Sequence, residues 1–211
     1  MSTVLGRYKL GVFVAYMVAY TFFYIFPNFL PLHPPRLLPL YPIDLAIPLI
    51  PWTFLIYTSD YVLIFLAVYF QPSITEFRLF TRQALLVLVI CGGFFWLLPT
   101  TYPRPDYPET SNWLLSFVMN SVRTADTPNN CFPSMHVALT GISAWSIRAI
   151  RPRYFPFFVF WALAVFVSTM TTKQHYMLDI IGGIAVLVIV LALSRAFIEP
   201  ATLNVRAKPS T

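Results

Sequence analysis

The sequence predicts an all-α integral membrane protein built as a six-transmembrane-helix bundle. Hydrophobic residues make up 58% of the 211 residues and charged residues only 10%, whereas a soluble domain carries roughly 25% charged residues. The mean hydropathy is +0.69. Apolar runs long enough to cross a bilayer as helices recur along the whole chain. We therefore expect a single membrane domain over residues 1–211.

Six apolar runs reach the length of a membrane helix, some of them only with their flanks. They cover about 9–26, 52–70, 83–98, 134–150, 155–172 and 177–198. Residues 27–51 hold eight prolines, which predicts an interfacial or re-entrant segment packed on the protein rather than a regular helix. The apolar patch from Trp113 to Met119 predicts a short interfacial helix. We expect a flexible tail at about 200–211.

Basic residues determine the predicted orientation. The net charge is +6, but the lysines and arginines stand singly or in small groups beside apolar runs, which fits lipid headgroups and excludes a nucleic-acid partner. With six spans, ten of these residues lie on the side of the two termini and four on the other. The termini are therefore predicted to be cytoplasmic. Arg104, His136 and His175 then share the extracytoplasmic face, which points to one site.

The first candidate catalytic residue is His136. Pro133 disfavours helix at Phe132, and Ser134 is a good N-cap, so a helix should begin there with His136 in its first turn. The helix N-terminus would favour a phosphate, and a protonated His136 could donate to a departing alkoxide as a general acid. The alternative is a capped helix whose histidine simply lies at the membrane interface.

His175 and Asp179 form the second candidate group. At four residues apart on one helix face, the carboxylate would accept from one imidazole nitrogen and leave the other free as a nucleophile. One alternative is a structural pair that closes a helix end. Another is a metal site made of His136, His175 and Asp179. No His-x-x-x-His pattern or acidic cluster supports that site, so we expect neither a metal nor a cofactor.

Arg104 is the third candidate, in a proline-rich loop. An arginine fork suits the equatorial oxygens of a transferring phosphoryl group. The alternative for Arg104 alone is an ordinary loop arginine in contact with lipid headgroups.

Polar and small residues inside the spans allow two further predictions. Asp60 lies within the second span and must face the bundle or a wet cavity. It could line a headgroup pocket, but we favour a structural hydrogen-bond role, with neighbours such as Thr58 and Ser59 as partners. The pairs Gly92-Gly93 and Gly182-Gly183 predict close packing between helices.

Together the three segments resemble the type 2 phosphatidic acid phosphatase superfamily of membrane lipid phosphatases and phosphotransferases. Its signatures are Lys-x6-Arg-Pro, Pro-Ser-Gly-His and Ser-Arg-x5-His-x3-Asp. The corresponding segments here are Leu97-x6-Arg104-Pro105, Pro133-Ser134-Met135-His136 and Ser168-Thr169-x5-His175-x3-Asp179. Order and spacing agree across about residues 97–179, and the six-helix prediction agrees with the family fold.

The resemblance implies a role for each matching residue. His175 would be the nucleophile that forms a phosphohistidine, oriented by Asp179, and His136 would protonate the leaving group. The expected phosphate-binding residues are Arg104, Ser134 and Ser168. The substrate would be a lipid phosphate or diphosphate of the outer leaflet, and water would complete hydrolysis without a metal.

Two departures from the family pattern keep alternatives open. The family lysine is Leu97 here and the family arginine is Thr169, so Lys173 and Arg123 are candidate replacements for phosphate binding. The reduced set of cations is similar to that of the sphingolipid-synthase branch, which implies a headgroup transferase with a lipid or sugar hydroxyl as acceptor. A transporter or scaffold is a more remote alternative, because it would favour inverted repeats and the sequence shows none.

Overall fold

Helices make up most of the protein in its structure, a computed structural model that describes residues 3–198. The predicted flexible tail at about 200–211 lies outside the described residues. The α-helices are α1 (Thr3–Tyr20), α2 (Phe26–Phe29), α3 (Pro42–Ala46), α4 (Phe54–Thr58), α5 (Asp60–Phe70), α6 (Ile74–Leu97), α7 (Trp113–Ala125), α8 (Met135–Ile150), α9 (Phe155–Thr171) and α10 (Met177–Leu193). The π-helical segment Thr21–Ile25 joins α1 to α2, and Ser194–Ile198 extends α10.

Five helical stretches within the described residues are long and apolar enough to cross a membrane. They are Gly6–Phe29, Pro51–Phe70, Ile74–Leu97, Pro152–Thr171 and Met177–Ala196. The sixth predicted span, 134–150, does form a helix, but α8 has only 16 residues. At about 1.5 Å of rise per residue it is shorter than a bilayer core of about 30 Å. The membrane character of the chain is therefore supported, whereas the count of six spans is not confirmed.

The short helix α8 is the centre of the bundle. It packs against α5, α6, α9 and α10, and most of its side chains are buried. Other helices surround α8, so its surface contacts protein instead of lipid. This explains why it contains small and hydroxyl residues such as Thr140, Gly141 and Ser143, whereas a helix that faces lipid usually carries large apolar residues. The N-terminus of α8 carries His136.

Helix α6 begins earlier than the predicted third span at 83–98. Ser73 is its N-cap, and the Ser73 side chain accepts hydrogen bonds from the backbone N–H groups of Thr75 and Glu76. The first nine residues contain Arg78 and Arg82, which hydropathy alone assigns to a loop. A polar helix end of this kind extends beyond the apolar run.

The proline-rich segment packs on the protein, as predicted. Its strand β1 (Arg36–Leu37) pairs in parallel with β2 (Thr100–Thr101). The Asp44 carboxylate accepts from the backbone N–H of Met177 at 2.8 Å and so caps α10. The re-entrant path proposed for this segment stays a prediction.

Helix α7 confirms the helix predicted from the apolar patch that begins at Trp113. Asn112 is its N-cap and accepts from the backbone N–H of Leu115 at 3.0 Å. The Trp113 side chain is 78% exposed and that of Phe117 is 64% exposed, which suits an interfacial helix, although its place at a membrane interface stays a prediction. The helix ends at Ala125, next to Asp126.

Close packing is confirmed at three of the four glycines in the two predicted pairs, although the neighbour of Gly182 is a loop residue rather than a helix. A Cβ atom added at Gly92 would lie 2.8 Å from the backbone oxygen of Phe23, and one at Gly183 would lie 2.6 Å from the backbone oxygen of Ser134. A Cβ atom at Gly182 would collide with the Phe132 ring. The prediction is wrong for Gly93, where a Cβ atom would meet nothing within 4 Å among the described residues.

Gly183→Ala should destabilise the protein. The added methyl group would press on a backbone oxygen that cannot rotate away, and overpacking of this kind costs about 1–3 kcal/mol. We expect a lower unfolding temperature in detergent. Gly93→Ala is the matched control, because it adds the same methyl group to an open position of α6. Equal stability of the two variants would contradict the close contact between α10 and α8.

Candidate active site

Backbone hydrogen bonds bring the second and third sequence motifs together. The N–H of Ser134, before α8, donates to the carbonyl oxygen of Asp179 in α10 at 3.0 Å. The N–H groups of Gln174 and His175 both donate to the carbonyl oxygen of Thr169 at 3.0 Å. These bonds hold the start of α8 beside the loop that carries His175.

The two histidine rings face each other. Nε2 of His175 lies 3.4 Å from Nδ1 of His136, and the ring centroids are 5.5 Å apart. His175 is only 4% exposed. The two imidazoles are 39 positions apart in the sequence, but each directs one ring nitrogen toward the other ring.

The expected pair of His175 and Asp179 is present, but the helical geometry predicted for it is wrong. Helix α10 begins at Met177, so His175 lies before the helix and not one turn along its face. Asp179 instead reaches back from the first turn, and its Oδ2 lies 3.2 Å from His175 Nδ1 and 3.2 Å from the backbone nitrogen of Tyr176. Because the carboxylate accepts from Nδ1, His175 Nε2 is left with a free lone pair.

The two serines proposed as phosphate ligands have different surroundings. Ser134 is the N-cap of α8, as predicted, and its Oγ accepts from the backbone N–H of Val137 at 3.4 Å. The Ser168 hydroxyl donates to the carbonyl oxygen of Val165 at 2.7 Å. Ser168 therefore binds a phosphate only if its hydroxyl rotates, and its role stays a prediction.

Leu97 and Thr169, which depart from the family pattern, contribute no charge to the site. The Leu97 side chain is 71% exposed. The Thr169 side chain is fully buried, and its hydroxyl donates to the carbonyl oxygen of Phe166 at 2.7 Å. Thr169 instead supports the site through its own carbonyl oxygen, which accepts from His175.

Arg104 pairs with a carboxylate that sequence reasoning missed, Asp126. One guanidinium nitrogen lies 3.9 Å from Asp126 Oδ2, and another donates to the Asp126 carbonyl oxygen. Burial alone would raise the pKa of Asp126, but the charge of Arg104, the two site histidines and the hydrogen bond from Tyr24 together more than offset it, so the pKa lies below its usual range. The buried Nε of Arg104 has no hydrogen-bond partner among residues 3–198, so it is available to a ligand.

Two tyrosines complete the surroundings of Asp126. The Tyr24 hydroxyl donates to Oδ1 at 2.8 Å and the Tyr57 hydroxyl to Oδ2 at 3.1 Å. The Tyr57 hydroxyl also lies 2.9 Å from His136 Nε2. In the sequence Tyr57 is one aromatic among many in an apolar run, and Asp126 is one polar residue in a long loop, so no local signal marks either.

The carboxyl group of Asp60 lies close to the candidate site. Its Oδ2 lies 3.9 Å from His136 Nε2. The hydroxyls of Thr58 and Ser59 are not its partners, because they donate to the carbonyl oxygens of Phe54 and Ile56. Both interpretations, a structural hydrogen-bond role and a place in a headgroup pocket, stay predictions.

Lys173 and Arg123, the candidate replacements for the two missing family cations, lie in different parts of the structure. The Lys173 ammonium donates to the carbonyl oxygens of Asp44 at 2.7 Å and Ile47 at 2.5 Å, so it ties the proline-rich segment to the loop before His175. Arg123 is exposed and, with Arg104, lines a cavity of about 250 Å³. A phosphate-binding role remains a prediction for both residues.

Comparison with known proteins identifies one family. A family model described as the PAP2 superfamily matches residues 47–193, which is more than half of the chain and includes all three motifs. Searches of curated proteins and of solved structures returned no match.

Proposed function

This chain belongs to the PAP2 superfamily, and on that premise we propose that it is a membrane lipid phosphatase that works through a phosphohistidine on His175. One observation supports this most strongly. The carboxylate of Asp179 contacts Nδ1 of His175, and the free Nε2 of the same ring lies 3.4 Å from the facing nitrogen of His136. A nucleophile and a general acid directed at one point are the groups that phosphoryl transfer from an ester requires.

The proposed reaction has two steps. In the first, the lone pair of His175 Nε2 forms a bond to phosphorus, the ester P–O bond breaks, and the departing oxygen takes a proton from His136 Nδ1. In the second, water attacks phosphorus and gives a proton back to His136, and the N–P bond breaks with its electrons returning to His175. The Asp179 carboxylate stabilises the positive charge that develops on the His175 ring.

Substrate binding must move the two rings apart. A separation of 3.4 Å between the facing nitrogens is a hydrogen-bond distance and leaves no room for a phosphoryl group. In this structure the two imidazoles contact each other directly.

We propose that Arg104, Ser134 and Ser168 bind phosphate oxygens, with Arg104 contributing the free Nε. The cytoplasmic placement of the termini and the extracytoplasmic placement of the site are part of the proposal. They rest on a path of six spans, in which α8 also crosses the membrane, and on the distribution of lysines and arginines that follows from it, ten against four. A lipid of the outer leaflet would then be the substrate.

A second candidate function is supported by the charge of the site. Asp126 neutralises Arg104, Lys173 is bonded to backbone carbonyls, and uncharged residues stand at positions 97 and 169. A phosphate monoester carries about two negative charges at neutral pH, whereas a phosphodiester carries one and needs fewer cations. This favours a headgroup transferase that takes a phosphodiester and passes its headgroup to a lipid or sugar hydroxyl.

A panel of lipid phosphate monoesters, diphosphates and phosphodiesters separates the two functions. The purified protein is incubated with each lipid in the presence of a chelator, with and without a lipid alcohol, and free phosphate and lipid products are measured. The phosphatase releases inorganic phosphate from a monoester or diphosphate without an acceptor. Consumption of a diester only when an acceptor is present would support the transferase, and inactivation by the chelator would contradict the metal-free site.

Arg123→Ala and Lys173→Ala should each lower activity. Arg123 lines the cavity beside Arg104, so its removal should mainly raise KM. Lys173 holds the carbonyls of Asp44 and Ile47, so its removal should loosen the loop that carries His175 and lower kcat. Steady-state kinetics in detergent measure both effects. Full activity of both variants would reject the idea that they replace the missing family cations.

A further inference from the structure

We propose that Asp44 is a positioning residue for the nucleophile, because it holds the chain on both sides of His175. The loop that carries this histidine, residues 172–176, joins α9 to α10. The backbone carbonyl oxygen of Asp44 binds the side chain of Lys173, and its carboxylate binds the backbone of Met177. The inference rests on the proposed function, since it assigns Asp44 to the half of the site that forms the bond to phosphorus.

The carboxylate of Asp44 is buried, and both of its oxygens accept hydrogen bonds. Asp44 is 1% exposed. Its Oδ1 accepts from the backbone N–H of Met177 at 2.8 Å, and its Oδ2 accepts from the backbone N–H of Tyr41 at 2.9 Å. A buried carboxylate is costly unless donors of this kind surround it. The bond to Met177 attaches the first residue of α10, two positions after His175, to the proline-rich segment.

Lys173 attaches the other side of the loop to the same segment. Its ammonium donates to the carbonyl oxygens of Asp44 at 2.7 Å and Ile47 at 2.5 Å. A backbone contact adds to these bonds, because the N–H of Ile50 donates to the carbonyl oxygen of Thr171 at 2.8 Å. The proline-rich segment therefore holds the loop at several points around the nucleophile.

The backbone of Lys173 adopts a conformation that a lysine rarely takes. Its φ angle is 57°, in the left-handed region that favours glycine. Among residues 3–198 it is the only residue other than glycine with a positive φ. Such a conformation persists where the surrounding contacts fix it, and it is common at functional sites. The bonds of the ammonium explain why a lysine stands where a glycine would suit the backbone better.

The segment that carries Asp44 is itself restricted. Pro42 is the first residue of α3, and Pro48 follows shortly after the end of that helix. The ring of each proline fixes φ near −65°. The side chain of Ile47 packs against buried apolar residues of α8, α9 and α10. Asp44 therefore holds the loop from a segment that has little freedom to move with it.

The reaction depends on this hold because Nε2 of His175 must meet phosphorus in line with the departing oxygen. A displacement of about 1 Å at a reacting centre can cost about 10²-fold in rate. Arg104, which is proposed to bind the phosphate oxygens, belongs to a different loop. We therefore expect loss of the hold to lower kcat and to leave KM nearly unchanged.

Removal of the Asp44 carboxylate tests the proposal by kinetics. We expect Asp44→Ala to lower kcat on dioleoylphosphatidic acid by about 10- to 100-fold, with KM within about twofold of the wild-type value. Asp44→Asn keeps one oxygen that can accept from Met177, so its kcat should lie between those of Asp44→Ala and the wild type. Ser73→Ala is the matched control. It removes the N-cap of α6, so it should lower the unfolding temperature without lowering kcat.

Lys173→Gly tests the other side of the hold, and it does so even if Asp44→Ala fails to fold. Glycine suits the left-handed backbone at this position, so the variant removes the ammonium without adding strain. We expect it also to lower kcat, with little change in KM. Wild-type kcat in Lys173→Gly would contradict a hold on both sides of His175.

Hydrogen exchange of the full chain measures the hold without any substrate. We expect faster amide exchange in residues 172–178 of Asp44→Ala, or of Asp44→Asn if the alanine variant does not fold, and no such change in Ser73→Ala. The proposal is overturned by unchanged exchange in these residues, by wild-type kcat in a folded Asp44→Ala, or by a loss that falls on KM instead of kcat. An equal loss of kcat in Ser73→Ala would also overturn it. If the wild type turns over no phosphate ester, the proposed function fails, and the exchange result still decides whether Asp44 holds the loop.

Discussion

His175→Ala should lower the turnover of a lipid phosphate by about 10⁴-fold or more, the range seen when a catalytic nucleophile is removed. The reason is geometric. Among the described residues, His175 is the imidazole whose free nitrogen faces the general acid while a carboxylate holds its other nitrogen. Without the ring, no group at that point can form the bond to phosphorus.

The matched control for this variant is His33→Ala. His33 lies in the proline-rich segment and is exposed, so its removal should leave turnover and stability unchanged. Phosphate release in detergent measures both variants. A His175→Ala protein that folds and keeps substantial turnover would contradict the nucleophile, and a transporter or scaffold would tolerate both changes alike.

Arg104→Ala should have the second-largest effect. Removal of one donor that stabilises a developing anion costs about 10²- to 10³-fold in kcat. Here the loss should be greater, because Asp126 would remain as an uncompensated carboxylate beside the incoming phosphate. Its pKa would rise once the arginine that lowers it is absent.

The double variant Arg104→Ala/Asp126→Asn separates the two contributions. We expect it to be more active than Arg104→Ala alone on a phosphate monoester, because the repelling charge is gone, although still slower than the wild type. Steady-state kinetics on the four proteins of the cycle give the coupling. Strictly additive losses would show that Asp126 does not act on the phosphate site through Arg104.

Hydropathy and helix-capping preferences predicted the parts of the fold that depend on residues close together in the sequence. The apolar run at 52–70 became a membrane-length helix, and Ser134 capped α8 where Pro133 ended the extended segment. The start of α6 was missed because charged residues, Glu76, Arg78 and Arg82, interrupt its apolar run. The bounds of α8 were predicted to within one residue, but its interpretation as a membrane span is not confirmed, because a helix enclosed by four others needs no long apolar run.

The site was predictable only where its residues form a pattern along the chain. The spacing of His175 and Asp179 is visible in the sequence, and their pairing was found for that reason. Tyr57 and Asp126 are 69 positions apart, and Tyr24 and Asp126 are 102 apart. Contacts of that range leave no periodicity or cap to detect, so the carboxylate on Arg104 became visible only in the folded protein.

The most direct test of the phosphohistidine is the stereochemistry at phosphorus. A substrate with an isotopically chiral phosphoryl group is turned over in the presence of an alcohol that accepts the group, and the configuration of the product is determined. Transfer first to His175 and then to the acceptor inverts phosphorus twice, so the account predicts overall retention. Inversion would show that the acceptor attacks the substrate directly, and it would contradict a covalent bond between His175 and phosphorus.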